Sequence, residues 1–138
     1  MGKSFNGKNN LSKVKTIISV LVVLGLAVAF FLGTRESEIT LENNALEIGG
    51  MYGVTIPTDS IEEVTLKEEI PTVRNKINAL SMFGFKKGTF RMDEIERARL
   101  FLHSGKGPYI QITTNEEIIF INYKNSEKTR SVYQEIKN

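Results

Sequence analysis

Cysteine and tryptophan are absent from the 138 residues, histidine occurs once, aspartate twice and proline three times. Without cysteine there is no disulfide framework, no thiolate metal site, no thiol nucleophile and no lipid attached through sulfur. With His103, Asp59 and Asp93 as the only residues of their kinds, most hydrolytic and metal-assisted chemistry lacks its parts, so neither an enzyme, a metal site nor a bound cofactor is expected. A basic surface of the kind that binds nucleic acid is missing too. Of 18 Lys and Arg, four (Lys3, Lys8, Lys13 and Lys15) fall in the first fifteen residues, which hold no acid; 14 bases then face 16 acids from Thr16 onward. The isoelectric point near 8.8 comes from this tail and implies no nucleic-acid partner.

Charge is absent altogether from Thr16 to Thr34, and Ile17 to Leu32 is interrupted only by Ser19 and Gly25. Nineteen residues at 1.5 Å each give about 28 Å of helix, close to the ~30 Å hydrocarbon core of a bilayer. A lone spanning segment must satisfy its own backbone, which in lipid means a helix. Residues 16–34 are therefore predicted to cross a plasma membrane, with 1–15 as a basic cytoplasmic tail. Arg35 is followed by Glu36, Glu38 and Glu42, so the positive-inside bias places residues 35–138 outside the cell. A cleavable signal peptide competes: a basic start, an apolar stretch and Ala27-Val28-Ala29 fit that pattern as well. Against cleavage, Phe30, Phe31 and Leu32 continue the apolar run.

The remaining residues suffice for one small core. They read as short β-rich runs between turn signals, with one amphipathic helix at the end. Residues 38–41 and 45–48 alternate across Glu42-Asn43-Asn44, a hairpin turn in which asparagine tolerates positive φ. Further strands are predicted over 52–56, 64–66, 88–92, 95–103, 109–114 and 118–123, with a long link from Glu68 to Lys87. In the run 95–103, Ala98, Leu100 and Leu102 face one way and Arg97, Arg99 and His103 the other, with Phe101 an exception on the polar face. Ile118 to Ile121 is apolar on both faces, as a doubly covered strand would be. Asn125 or Ser126 can cap a closing helix whose Thr129, Val132, Tyr133 and Ile136 form one stripe, suited to covering the open end of a barrel.

Seven or so strands and one C-terminal helix resemble a pleckstrin-homology (PH) fold. More specifically, Ile61-Glu62-Glu63-Val64-Thr65-Leu66, Gly88-Thr89-Phe90, Ala98-Arg99-Leu100-Phe101, Ile118-Ile119-Phe120-Ile121-Asn122 and Thr129-Arg130-Ser131-Val132-Tyr133 are similar to bacterial PH-like domains attached to membrane helices. The resemblance covers about residues 36–138. It implies a mainly β protein: a small antiparallel PH-like barrel or sandwich of about seven strands, capped by a C-terminal helix and preceded by a transmembrane helix. It carries over no functional residues. The basic first hairpin with which eukaryotic PH domains hold phosphoinositides is Glu42-Asn43-Asn44 here, between Glu38 and Glu47.

The long link gathers Pro71, Arg74, Lys76, Phe83, Phe85, Lys86 and Lys87 in an otherwise acidic domain, and long connections often carry function. Arg74, Lys76, Phe83, Phe85, Lys86 and Lys87 are the candidate ligand-binding residues, for anionic lipid headgroups or cell-wall polymer. In the competing reading Met82, Phe83 and Phe85 plug the barrel and the lysines are solvated. His103-Ser104-Gly105-Lys106-Gly107 fits a hairpin loop rather than a phosphate loop or a Ser-His pair. The chain is thus expected to be a membrane-anchored binding module, an adaptor, sensor or accessory subunit, with the bilayer and a membrane or envelope protein as partners.

Overall fold

The computed structural model describes residues 2–138; Met1 and the side chains of residues 2–8, 30 and 32–34, including those of Lys3 and Lys8 in the basic tail, lie outside the described residues. A single helix, α1 (Gly2–Thr34), takes in most of 1–15 together with 16–34. No proline precedes Pro57, so nothing in the tail forbids the helix from starting early. Within α1, the 21 residues Asn9–Ala29 are long and apolar enough to cross a membrane. The chain forms two compact units, one through Arg35 and the other from Glu36 to Asn138.

Among the described residues, the second unit has nine strands, β1 (Ile39–Glu42), β2 (Ala45–Ile48), β3 (Val54–Pro57), β4 (Ile61–Lys67), β5 (Val73–Met82), β6 (Phe85–Met92), β7 (Ile95–Leu102), β8 (Tyr109–Thr114) and β9 (Ile118–Ile121), followed by α2 (Ser126–Lys137). Strands β1-β2-β3 make a small antiparallel sheet, and a six-stranded sheet has the order β4-β8-β9-β7-β6-β5. The mainly β class with a closing helix is as the sequence predicts. Two details differ: there are nine strands rather than about seven, and β7 pairs with β9 in parallel, Ala98 opposite Ile118 and Phe101 opposite Ile121. The parallel pair arises because the β8–β9 hairpin enters the sheet as a unit, with β9 on the β7 side.

Most of the predicted long link is strand. β5 and the start of β6 form a hairpin closed by Phe83 and Gly84, both at positive φ (50° and 80°), a two-residue turn of the kind that matches strand twist. Only residues 68–72 then connect β4 to β5, the two outer edges of the large sheet. Six residue steps reach about 20 Å at most, whereas flat strands ~4.8 Å apart would hold those edges ~24 Å from each other. The sheet is therefore curled, although its edges are not paired with one another.

Curling gives the sheet two buried faces. On one, Phe101, Ile110, Ile112, Ile119 and Ile121 meet Leu46, Ile48 and Ile56 of the small sheet and Tyr133 of α2. On the other, Phe90, Met92, Leu100, Leu102 and Phe120 form a second core, with Ile70, Val73 and Ala79 against it. Phe101 is thus no exception to strand alternation: its face is covered by the first core. Removing a ring so enclosed typically costs about 3–5 kcal/mol. Asn125 caps α2 by accepting from the amides of Glu127 (2.9 Å) and Lys128 (3.4 Å). Beyond the cap, Val132, Tyr133 and Ile136 pack against the first core, and Thr129 is buried beside them.

Candidate functional site

Strand register sorts the candidate residues by position. β6 starts where β7 ends, Lys86 opposite Leu102, and β9 ends beside Phe101. The β5–β6 turn, His103, Asn122 and Lys124 therefore share one end of the domain. Glu36 is fixed there as well: its carboxylate accepts from the Lys124 amide (3.1 Å) and from the Lys128 ammonium (3.0 Å). Arg74 lies at the other end, where its guanidinium donates to both carboxylate oxygens of Asp93, with Nη2 to Oδ2 at 2.9 Å. That pair holds the Asp93 carboxyl below its usual value, chiefly through the hydrogen bond. Eight residues of strand separate Arg74 from Met82, about 26 Å. Lys76 is exposed opposite Phe90, between the two ends.

The four remaining candidates meet at the shared end in opposed environments. Phe83 is 94% exposed. Lys86 donates to Ser81 Oγ at 3.0 Å. Phe85 and Lys87, two residues apart and so on one face of β6, turn inward and are buried. Lys87 Nζ stands 5.3 Å from the centre of the Phe85 ring, and a side chain placed on Gly50 would meet it at 3.9 Å. Burial lowers the pKa of its ammonium. Of the two aromatic candidates, Phe85 is buried and Phe83 exposed.

His103 completes this interior. It is buried and meets the Phe85 ring edge to face at 5.2 Å. Its imidazole pKa is brought down to about 4, first by burial and then by Lys87, with Glu36 opposing and Lys124 and Lys128 adding to the fall. At neutral pH the ring is uncharged. Neither of its nitrogens, nor Ser37 Oγ, has a hydrogen-bond partner among the described residues. Ser104 Oγ instead accepts from the Lys106 amide at 3.1 Å, so no Ser-His pair forms and the segment is a loop.

Asn122 was not singled out by sequence reasoning as a site residue, yet it organises this loop. Its Oδ1 accepts from the amides of His103 (2.9 Å) and Ser104 (3.2 Å), and its Nδ2 donates to the carbonyls of Ser104 (3.0 Å) and Lys106 (3.2 Å). A side chain with one acceptor and two donors is fully used there. Thr129 acts similarly on the following segment, its hydroxyl accepting from the Tyr123 amide at 3.0 Å. Among the described residues, no three His, Asp or Glu side chains are placed to share a metal ion.

The surface of this end is mixed rather than uniformly basic. Glu68 and Glu69 border a hollow of about 390 Å³ with Lys106 and Tyr109, and Arg130 reaches Glu68 at 3.4 Å. A protruding aromatic ring, several lysines and a fully bonded loop can bind a surface. They do not compose a nucleophile with its base. A family model described as bacterial PH domain matches residues 37–135. No curated protein and no solved structure matches the chain.

Proposed function

The chain belongs to the bacterial PH domain family, and on that premise we propose that it is a non-catalytic adaptor or accessory subunit, holding its domain outside the plasma membrane to bind an envelope protein. The observation that carries this reading is the direct succession of a 21-residue apolar helix segment, Asn9–Ala29, and a family-matched domain that begins at residue 37. PH domains are generally binding modules, and anchoring one confines its encounters to two dimensions, raising effective concentration. The lysines before the apolar run and the acids after it support a cytoplasmic N-terminus.

The absence of cysteine makes orientation simple to test. Single cysteines at Ser4, ahead of the apolar segment, and at Ser126 are exposed to an impermeant maleimide on intact cells. Labelling at position 126 alone is expected; labelling at 4 alone would refute the orientation. Photocrosslinkers distributed over the domain surface should then yield a discrete protein adduct in native membranes. Adducts with lipid only would refute the adaptor reading.

The exposed Phe83 and its neighbour Lys86 favour a second reading, contact with anionic lipid or cell-wall polymer. Phe83→Ser combined with Lys86→Glu should then abolish co-sedimentation of the full chain with anionic polymer or added anionic vesicles. Substitution of Arg74, at the opposite end, should have no effect.

A further inference from the structure

At the end of the domain opposite Glu36, the last turn of α2, the β1–β2 hairpin and the start of β4 enclose a groove of about 440 Å³, within the ~300–1,000 Å³ of ligand-sized sites. Leu41, Ile61, Val64 and Ile136 supply its apolar wall, and Glu62 and Glu63 stand at its exposed rim. The lining cation, Lys137, donates to Tyr133 Oη at 2.9 Å. Leu41 is half exposed. β4 is the outer strand of the large sheet, bonded to β8 along one side and, among the described residues, to no strand along the other.

We propose that this groove takes an extended peptide segment of a partner protein, alternately apolar and basic, laid against β4 as an additional strand; the proposal rests on the reading of the domain as a protein-binding module. Three features agree on that occupant. The open side of β4 offers backbone donors and acceptors that only another backbone can use in series. Alternate side chains of an added strand point to opposite faces, so one set enters the apolar wall and the other meets the rim. Two carboxylates and one ammonium, the latter already bonded to Tyr133, line the groove, a balance that selects a cationic sequence and rejects an acidic one. The other outer strand of the same sheet is defended: β5 has register shifts at Val73–Asn75 and Lys76–Asn78, with Arg74 and Lys76 along it. β4 has one shift, at Ile61–Glu63, and runs regularly from Glu63 to Lys67.

The test uses the full chain in uncharged nanodiscs and a ten-residue peptide of alternating lysine and leucine, with glutamate-leucine and alternately N-methylated versions as controls. The lysine peptide should bind at least tenfold more tightly than either control and slow amide exchange in β4. Glu62→Lys with Glu63→Lys, at two exposed positions, should reverse the charge preference. Equal binding of the N-methylated peptide, or protection confined to other strands, overturns the proposal. A photocrosslinker at position 62 and another at 83, in native membranes, separate the two levels of inference. A protein adduct at 83 without one at 62 overturns the groove and leaves the module reading standing. A second copy of this chain captured at 62 overturns the peptide as occupant, and adducts at neither position count against both readings. An adduct at 62 within a basic, apolar segment of another protein supports the proposal.

Discussion

Asn122 should be the most sensitive polar position in the domain. It is fully buried and makes four hydrogen bonds to a loop that no regular structure holds. At about 0.5–1.5 kcal/mol for each net bond, Asn122→Ala would lose about 2–6 kcal/mol if all four partners stayed dry. They do not: Lys106 is exposed and Ser104 half-buried, so water replaces the side chain at their carbonyls, while the His103 amide stays buried. The expected loss is about 3 kcal/mol, which in a domain of about a hundred residues lowers Tm by on the order of 15 °C. Asn122→Asp sharpens the test. It keeps the acceptor for two amides but aims a carboxylate oxygen at two carbonyls, so it should be destabilised at neutral pH, and its deficit relative to the parent chain at the same pH should shrink on acidification enough to protonate that carboxyl. Near-ultraviolet dichroism of the tyrosines follows the melt of the full chain in detergent, and hydrogen exchange reads the amides of His103 and Ser104. A fall below about 4 °C for the alanine variant, with both amides still protected, would refute the reasoning.

Acid should act first through His103. The unfolded imidazole binds a proton near pH 6.5 and the folded one only near pH 4, so the stabilisation is complete above 6.5 and is lost as pH falls towards 4, by about 3 kcal/mol in all; His103→Phe should flatten urea-measured stability between about pH 6.5 and 4.5. Gly88 has φ 116°, and a side chain there would come within 2.8 Å of Ala79 Cβ, so Gly88→Ala should cost about 3 kcal/mol or more in denaturant unfolding by loosening β5 from β6. Phe83→Asn should raise stability by about 0.5–1 kcal/mol, since asparagine accepts φ near 50° better than an aromatic residue; an unchanged or lower midpoint would show that the exposed ring is held by contacts.

Much of this domain was legible wherever side-chain period and turn chemistry agreed. The Asn43-Asn44 turn has both residues at positive φ, α2 has the predicted cap and apolar stripe, and β9 is covered on both faces as its unbroken apolar run implies. β5 was missed because its two register shifts reset the alternation and residues 74–78 are all exposed; a bulged outer strand leaves no period of two to find. The candidate site was less legible for a related reason. Composition marks a phenylalanine as core and a lysine as solvated, but the turn holds Phe83 outside and the inward face of β6 holds Lys87 inside. Neither the division of Arg74 from Lys86 nor the groove beside β4 follows from linear spacing, since both depend on which strands become neighbours.

The attachment of Glu36 decides how the domain would carry tension. A pull on the chain at Arg35 reaches the Glu36 carboxylate, bonded to the start of the helical cap at Lys124 and Lys128, and then the Ser37 carbonyl, which accepts from Tyr123 Oη at 3.1 Å. These holds precede β1, whose short pairing with β2 could otherwise be peeled apart one bond at a time. Load therefore passes first into the segment that follows β9, an interior strand of the large sheet held between β8 and β7. The clasp makes the domain resist pulling through an interior strand of its large sheet, and releasing Glu36 would convert the same pull into an unzipping of the small sheet.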